Sequence, residues 1–522
     1  MEPLTTSEMR SLELNAEYLG VDRLLLMENA GAAVARVVKR EAGPGGKVVV
    51  LCGPGNNGGD GMVAARHLAD AFHVEVVLIA HPSRVRSSEA RRNLEALRSM
   101  ASTITLHVDP RGELARSLIK GANVVIDAIF GTGLRGPVAS PYREVIEEVN
   151  RVAGPLKVAV DVPSGLNPDT GEVHGVAVKA DVTVTFHAPK PGLLKPSAKE
   201  YVGELVVEPI GIPPEAAVIC GPGDVAIAAK ARRPWSKKGD YGRVLVVGGS
   251  ELYTGAPALA ALASLRLGAD LAVIYAPEES ANAIRAYSPN LIVIPYSAPH
   301  LRPMLIDDVV KLSSRFDVII LGPGLGLEEE TVEAVLRLVG KLSRIRPMVV
   351  DADALKALSR DLALIRGAKA ILTPHAGELR LLTGVEVGEG LEERMRAAKE
   401  LASAAGCTVL LKGHVDVVSD GKRVKVNRSG NPGMTVGGTG DVLAGVAATL
   451  LAWTGDPFRA ACAAAFLNGL AGDLAATKKG YHLLATDLID HLPEAYELAL
   501  KPAECRRLRP PVEGWEPQAL KG

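Results

Sequence analysis

The sequence predicts an α/β protein of two domains, each built on a mainly parallel sheet. Three observations predict it. Runs of β-branched residues recur along the chain, each followed by a glycine-bearing loop and then a helical stretch. Apolar strands alternating with helices belong to parallel sheets covered on both faces. The length, 522 residues, exceeds what one hydrophobic core usually organises. The rhythm also breaks at VEPIGIPPE, Val207–Glu215, whose three prolines make a poor helix or central strand but a good linker.

The elements follow in order. KVVVLC predicts a strand over Lys47–Cys52, and the loop GPGNNGGDG, Gly53–Gly61, follows it. Further strands are expected near His73–Ala80, Asn123–Asp127 and Lys157–Asp161, with a helix over Ser87–Met100 between them. After the break the pattern restarts with RVLVVGGS (Arg243–Ser250). It continues through FDVIILGPGLG (Phe316–Gly326), PMVVDADAL (Pro347–Leu355), AILTPHAGE (Ala370–Glu378) and TVLLKGHVD (Thr408–Asp416). The expected domains are residues 1–214 and 215–505, with a tail over 506–522. In open α/β sheets, ligands bind beyond the carboxyl ends of the strands. The glycine loops fall there, so one pocket is expected in each domain.

Composition narrows the function. Hydrophobic residues make up 47% and charged residues 23%, with a formal net charge of -1. That is an ordinary soluble globular protein, with no basic excess for nucleic acid. The apolar run Val442–Trp453 is soon broken by Asp456, Pro457 and Arg459. It is too short to span a bilayer and reads as a buried helix, so no membrane is expected. Cys52, Cys220, Cys407, Cys462 and Cys505 form no metal signature and no disulfide framework. A reducing cytoplasm is the expected setting. The first residues, MEPLTTSEMRSLELNAEY, are too polar for a signal peptide.

In the front domain, Gly53, Gly55 and Gly58 formally give the dinucleotide fingerprint of a hydride-transfer enzyme. An NAD site also wants an acidic residue at the far end of the next strand. That end carries Ala80, His81 and Pro82, and Glu75 comes too early. Other chemistry fits better. Asn56, Asn57 and Asp60 crowd the first loop, Asp127 and Asp161 end two strands, and Ser164 follows. Each alone reads as a helix cap or turn residue. Together, their oxygens suit a hard cation, and Asp161 suits proton transfer.

NNGGDG, DAIFGTGLRGP, DVPSG and FHAPKPG, with MENAG at Met27–Gly31, resemble the NAD(P)H-hydrate epimerase family over residues 1–214. The resemblance implies substrate contacts at Asn56, Asn57, Gly58, Gly59 and Asp60. It implies the same for Gly131, Thr132, Gly133, Leu134, Arg135, Gly136 and Pro137. It implies potassium (K+) at Asn57, Asp127 and Ser164, and makes Asp161 a substrate contact and the acid–base candidate. The implied substrate is NADH or NADPH hydrated at C6 of the nicotinamide ring. That carbon carries a hydroxyl beside the ring nitrogen, so the hydroxyl can leave and return through an iminium-like state that a carboxylate stabilises.

The rear domain carries NPGMTVGGTGDVLAG, Asn431–Gly445. Gly437, Gly438 and Gly440 are expected to precede a helix beginning near Val442, and their N–H groups form an anion nest. Asp441 can take a proton from an attacking hydroxyl; alone, it reads as a helix cap. YTGAP, GPGLG, DADAL, TPHAGE, LLKGHVD and NPGMTVGGTGD resemble the ribokinase-like fold, and within it the ADP- or ATP-dependent NAD(P)H-hydrate dehydratases, from about Trp235 to Pro493. This resemblance implies that Ala256, Gly324, His375 and Asp441 contact the hydrated dinucleotide. It implies that Lys412, Gly413, His414, Val415, Asp416 and Gly440 bind the adenine nucleotide. The family often carries a smaller residue where His414 stands, so only a backbone role carries over there.

The implied reaction uses ADP, with ATP as the alternative, and Mg2+ on its phosphates. Asp441 deprotonates the C6 hydroxyl of the S-hydrate, the hydroxyl attacks the terminal phosphate, and phosphate then leaves where water leaves poorly. Two other readings remain open. One is a hydroxymethylpyrimidine- or pyridoxal-type kinase with a non-catalytic front domain. The other is a nucleotide-sensing scaffold without turnover. A homo-oligomer is expected of such folds.

Overall fold

The computed structural model describes residues 2–508. Of the tail expected over 506–522, everything beyond 508 lies outside the described residues. The chain divides into two compact units between Pro213 and Pro214.

The front unit holds seven parallel strands: β1 Lys47–Cys52, β2 His73–Leu78, β3 Ile104–Val108, β4 Val124–Ala128, β5 Leu156–Val160, β6 Val182–Phe186 and β7 Glu204–Glu208. Their order is 3-2-1-4-5-6-7. The direction of winding reverses between β1 and β4, where a crevice opens at the carboxyl ends. Val48, Val49, Val50 and Leu51 are fully buried, as a strand covered on both faces requires.

Two expected boundaries move. Val207 and Glu208 belong to β7, so the linker is shorter than Val207–Glu215; an edge strand pairs on one side only, and Pro209 ends it. Asp161 lies just past β5 with φ +64°, a left-handed conformation that Asp tolerates better than most residues. It therefore turns its side chain out of the strand register.

The rear unit has nine strands: β8 Arg243–Val247, β9 Leu271–Pro277, β10 Ile292–Tyr296, β11 Val318–Leu321, β12 Met348–Val350, β13 Ala370–Leu372, β14 Thr408–Leu411, β15 Asp416–Ser419 and β16 Val424–Asn427. The order is 10-9-8-11-12-13-14-15-16, with β15 and β16 antiparallel at one edge. Winding reverses between β8 and β11. The helix expected near Val442 begins earlier, at Thr439, capped by Gly438 at φ +96°. Gly440 and Asp441 thus stand in its first turn, where a carboxylate complements the helix dipole.

That helix, Thr439–Thr454, lies against Gly255–Leu267 with little between them. A Cβ at Gly445 would come 2.2 Å from the Ala260 carbonyl oxygen. Gly438 meets Leu259, the Thr449 hydroxyl donates to Ser264 O, and Gly268 meets Trp453. The two helices therefore run in the same direction and present their N-termini at the same end. Pro457–Lys479 is long and apolar enough to cross a membrane, but 83% of its apolar window is buried in this unit, as in a core helix.

Candidate active sites

In the front unit, the NNGGD stretch forms the first turn of a helix, Asn56–Leu68, that starts at the crevice. Its free N–H groups face the place where an anion would bind. A Cβ at Gly53 would lie 2.0 Å from the Ile129 carbonyl oxygen, so glycine is what brings the β1 and β4 loops together. A cavity of about 510 Å³ opens there, lined by Asn56, Asn57, Asp60, Gly131, Thr132, Gly133, Leu134, Arg135 and Asp161. Gly58, Gly59 and Gly136 are not in that lining. Gly58 packs on the Gly53 carbonyl and Gly59 on Met27, so their smallness serves helix packing. Pro137 lines a neighbouring hollow of about 380 Å³ that shares Phe130 and Leu134 with the cavity.

Asp127 and Ser164 are bound together. Ser164 donates its N–H to Asp127 Oδ2 at 2.7 Å and its hydroxyl to Oδ1 at 2.6 Å. The Ile129 N–H adds a third bond at 3.2 Å. Burial pushes the Asp127 carboxyl up to about 6, against these hydrogen bonds, and no lysine or arginine is among the groups acting on it. Asn57 is also buried, and its Nδ2 has no hydrogen-bond partner.

Asp161 is ion-paired with Lys190, a side chain only 1% exposed. Lys190 also donates to Thr185 Oγ1 at 2.9 Å and to Phe186 O at 3.3 Å. Two more carboxyls join this centre. Burial, then the Asp161 and Glu13 charges, hold Asp60 well above the usual carboxylate range. Burial, then Asp161, push Glu13 up to about 7. Sequence reasoning missed Glu13 and Lys190. Lys190 stands inside FHAPKPG, a motif that could have flagged it; Glu13 stands on the N-terminal helix Thr6–Leu19, away from any glycine loop.

In the rear unit the ends of β12, β13 and β14 converge. The Lys412 ammonium lies 2.9 Å from Asp351 Oδ1 and 3.9 Å from Glu378 Oε2. The Thr373 hydroxyl also donates to Asp351, at 2.8 Å. A Cβ at Gly440 would meet Lys412 Nζ at 3.5 Å, so this lysine sits beside the first turn of Thr439–Thr454. Burial, then the Asp351 carboxylate, push Asp441 up to about 7, with Lys412 opposing. Gly324 has φ +68°, and a Cβ there would lie 3.5 Å from Ala256 Cβ. These two expected contacts are therefore neighbours at the helix Gly255–Leu267.

His375 is not a buried core histidine, for its side chain is 58% exposed. It caps Ala376–Thr383, with Nδ1 accepting from the N–H groups of Gly377 at 3.0 Å and Glu378 at 3.3 Å. Nε2 lies 3.6 Å from Glu378 Oε1. Asp416 turns its carboxylate inward, to the Gly413 N–H and the Asn427 amide, both at 3.0 Å. Arg394 holds the same loop through the carbonyls of Lys412 and Val415. The Lys412–Asp416 loop, with Gly413, His414 and Val415, therefore offers a ligand mainly backbone. Sequence reasoning quoted the motifs holding Asp351 and Glu378 but gave neither a role.

Comparisons with known proteins match both units. Residues 244–494 match the NAD(P)H-hydrate dehydratase family, and residues 23–192 match the YjeF-related protein N-terminus. A bifunctional NAD(P)H-hydrate repair enzyme of Pyrobaculum aerophilum is 53% identical over 94% of this chain and 98% of its own length. The chain belongs to the bifunctional NAD(P)H-hydrate repair enzymes. A relative of the same description from Hyperthermus butylicus is 46% identical over 98% of this chain and 96% of its own. A solved ADP/ATP-dependent NAD(P)H-hydrate dehydratase of Bacillus subtilis, co-crystallised with ATP and Mg2+, is 28% identical. It covers 54% of this chain and 99% of its own, with a TM-score of 0.45.

Proposed function

We propose that the front unit epimerises R and S hydrates of NADH and NADPH, and that the rear unit dehydrates the S form at the expense of ADP or ATP. The observation that carries the reading is Asp441. Its carboxyl, near neutral pKa, stands in the first turn of one of two co-aligned helices and beside Lys412. Two helix N-termini and an ammonium attract a polyphosphate, and a base near pH 7 suits deprotonation of a hydroxyl.

The rear reaction then runs in two steps. Asp441 takes the C6 hydroxyl proton as the oxygen attacks the terminal phosphorus, and the bond to the rest of the nucleotide breaks. The C6–O bond then breaks with its electrons on phosphate, C5 gives its proton to the departing phosphate, and the ring double bond returns. Lys412 and Gly440 hold the phosphates, the backbone of Gly413–Asp416 holds the nucleotide, and Ala256, Gly324 and the exposed ring of His375 meet the dinucleotide. Mg2+ would bridge the nucleotide phosphates and offset their charge.

In the front unit, Asp161 handles the proton at C6, the Asn56–Asp60 turn takes the pyrophosphate, and Gly131–Arg135 forms the opposite wall. Asp127, Ser164 and Asn57 fit a potassium ion. Among the described residues no lysine or arginine acts on the buried Asp127 carboxylate, and the serine and asparagine add neutral oxygens. Such an ion would supply the missing positive charge and fix the β4 and β5 loops. Preference for ADP, assembly as a homo-oligomer and a cytoplasmic setting belong to the same proposal.

The test is chromatography of a mixture of R- and S-hydrated NADH, supplied with nucleotide and Mg2+. The unaltered chain should consume both isomers. Asp161→Asn should consume the S form and leave R to its slow spontaneous exchange. If this variant consumed both as fast as the unaltered chain, Asp161 would lose its role. A small-molecule kinase with an idle front unit would leave R untouched with either protein.

A further inference from the structure

Epimerisation at C6 poses a problem that one carboxylate does not solve. Water must leave one face of the ring and a water must arrive on the other. Each event moves a proton, in opposite senses, on opposite faces. Asp161 serves one of them.

The cavity holds a second candidate, carried by a different element. Asp161 comes from the end of β5; Glu13 comes from the N-terminal helix Thr6–Leu19, and both line the same space. The charged groups acting on Glu13 are Asp161, Lys190, Arg23, Arg10 and Asp60. Lys190 is committed to Asp161, Thr185 and Phe186. No hydrogen bond holds the Glu13 carboxyl among the described residues. Asp60 stands on the turn that receives the dinucleotide, so it shares a wall with the phosphates. A further sign of a ligand is the buried Asn57 Nδ2, a donor in the same lining with no partner in the protein.

We propose that Glu13 is a catalytic residue of the front unit, the proton-carrying counterpart of Asp161 on the other face of the nicotinamide ring. The proposal rests on the epimerase reading of this unit. In one direction the Glu13 carboxyl gives its proton to the C6 hydroxyl. The C6–O bond breaks, water leaves with the bonding pair, and the N1 lone pair forms the C6=N1 iminium. A water then adds to the opposite face. Its oxygen bonds C6, N1 recovers its pair, and the Asp161 carboxylate takes the proton. Nothing is oxidised or reduced, and the net change on the protein is one proton moved from Glu13 to Asp161. The product form of the protein is then primed for the reverse reaction, with the two roles exchanged. A neutral acid and an ion-paired carboxylate in one cavity are the environments such a division needs.

The experiment uses the full chain without nucleotide, starting from one purified isomer of hydrated NADH and following its partner chromatographically. Glu13→Gln should lower kcat by about 10²–10⁴-fold, the usual worth of a general acid or base, with KM within about threefold. The unaltered chain should lose kcat/KM as pH rises through about 7, where Glu13 gives up its proton, and Glu13→Gln should lack that limb. Glu13→Asp, which keeps the acid on a shorter arm, should be slower but keep the limb. With nucleotide added, all three proteins should dehydrate S-hydrate equally. A Glu13→Gln rate within about threefold of the unaltered one, or a loss confined to KM, overturns the proposal while leaving the epimerase reading intact. So does an unchanged Glu13→Asp kcat, which decides the matter if the glutamine variant does not fold. If the unaltered chain itself fails to exceed the spontaneous exchange, the epimerase reading falls and takes this proposal with it.

Discussion

Replacing Asp441 by Asn should silence dehydration and, in the same protein, stabilise the rear unit. The activity loss follows from its role as base and should be about 10²–10⁴-fold in kcat. The unaltered chain makes the companion prediction. With a carboxyl near 7, the ionised fraction rises from about one in eleven at pH 6 to about ten in eleven at pH 8, so kcat/KM for S-hydrate should climb about tenfold. The stability effect has the opposite sign. The folded carboxyl is raised from 3.8 to about 7, mainly by burial and then by Asp351. Between those values the folded chain keeps a proton that the unfolded chain has lost, so stability falls as pH rises through that window. The penalty is absent below 3.8 and complete above about 7. It is on the order of 4 kcal/mol, at about 1.4 kcal/mol per tenfold in acidity. Asparagine carries no such charge. Calorimetry of both proteins at pH 4 and pH 8 should therefore find Asp441→Asn the more stable at pH 8 and the advantage gone at pH 4. An active asparagine variant, or a stability difference independent of pH, would refute this account of the site.

Other outcomes follow from neighbouring groups. Lys412→Met leaves Asp351 and Glu378 facing each other without their ammonium. Nucleotide-dependent dehydration should vanish and calorimetry should find a loss of about 3–5 kcal/mol, while isomer exchange continues. Exchanging K+ for a bulky quaternary ammonium should slow epimerisation and leave dehydration untouched. Asp127→Asn, which removes the buried charge that the ion would answer, should make epimerisation insensitive to the exchange.

Much of the fold was legible because its strands are buried runs of valine, isoleucine and leucine, and the strand-end rule then placed Asp127, Asp161 and the loops of both sites. The helix start at Thr439 was not. Its glycines signal a loop, yet Gly438 caps the helix and Gly440 sits inside the first turn. The hairpin of β15 and β16 had a readable mark, Asp420–Gly421 between two valine-rich runs, the turn pair that favours tight reversals. His375 had one too, for a glutamate three residues on is a capping-box spacing. Glu13 had none. Its helix advertises a packed face by apolar spacing, and nothing local says that one polar position meets a cavity built by strands far along the chain. The pairing of Lys190 with Asp161 is hidden for the same reason, since the left-handed turn at Asp161 aims its side chain.

The central claim is that the C6 oxygen leaves as part of phosphate. S-hydrate carrying heavy oxygen in its C6 hydroxyl tests it directly, in a single turnover with ADP or ATP and Mg2+. Mass spectrometry of the released inorganic phosphate should find the label there, one atom per NADH regenerated. Label in water, with the released phosphate unlabelled, would mean that nucleotide cleavage and dehydration are separate events, and the role given to Asp441 would be wrong.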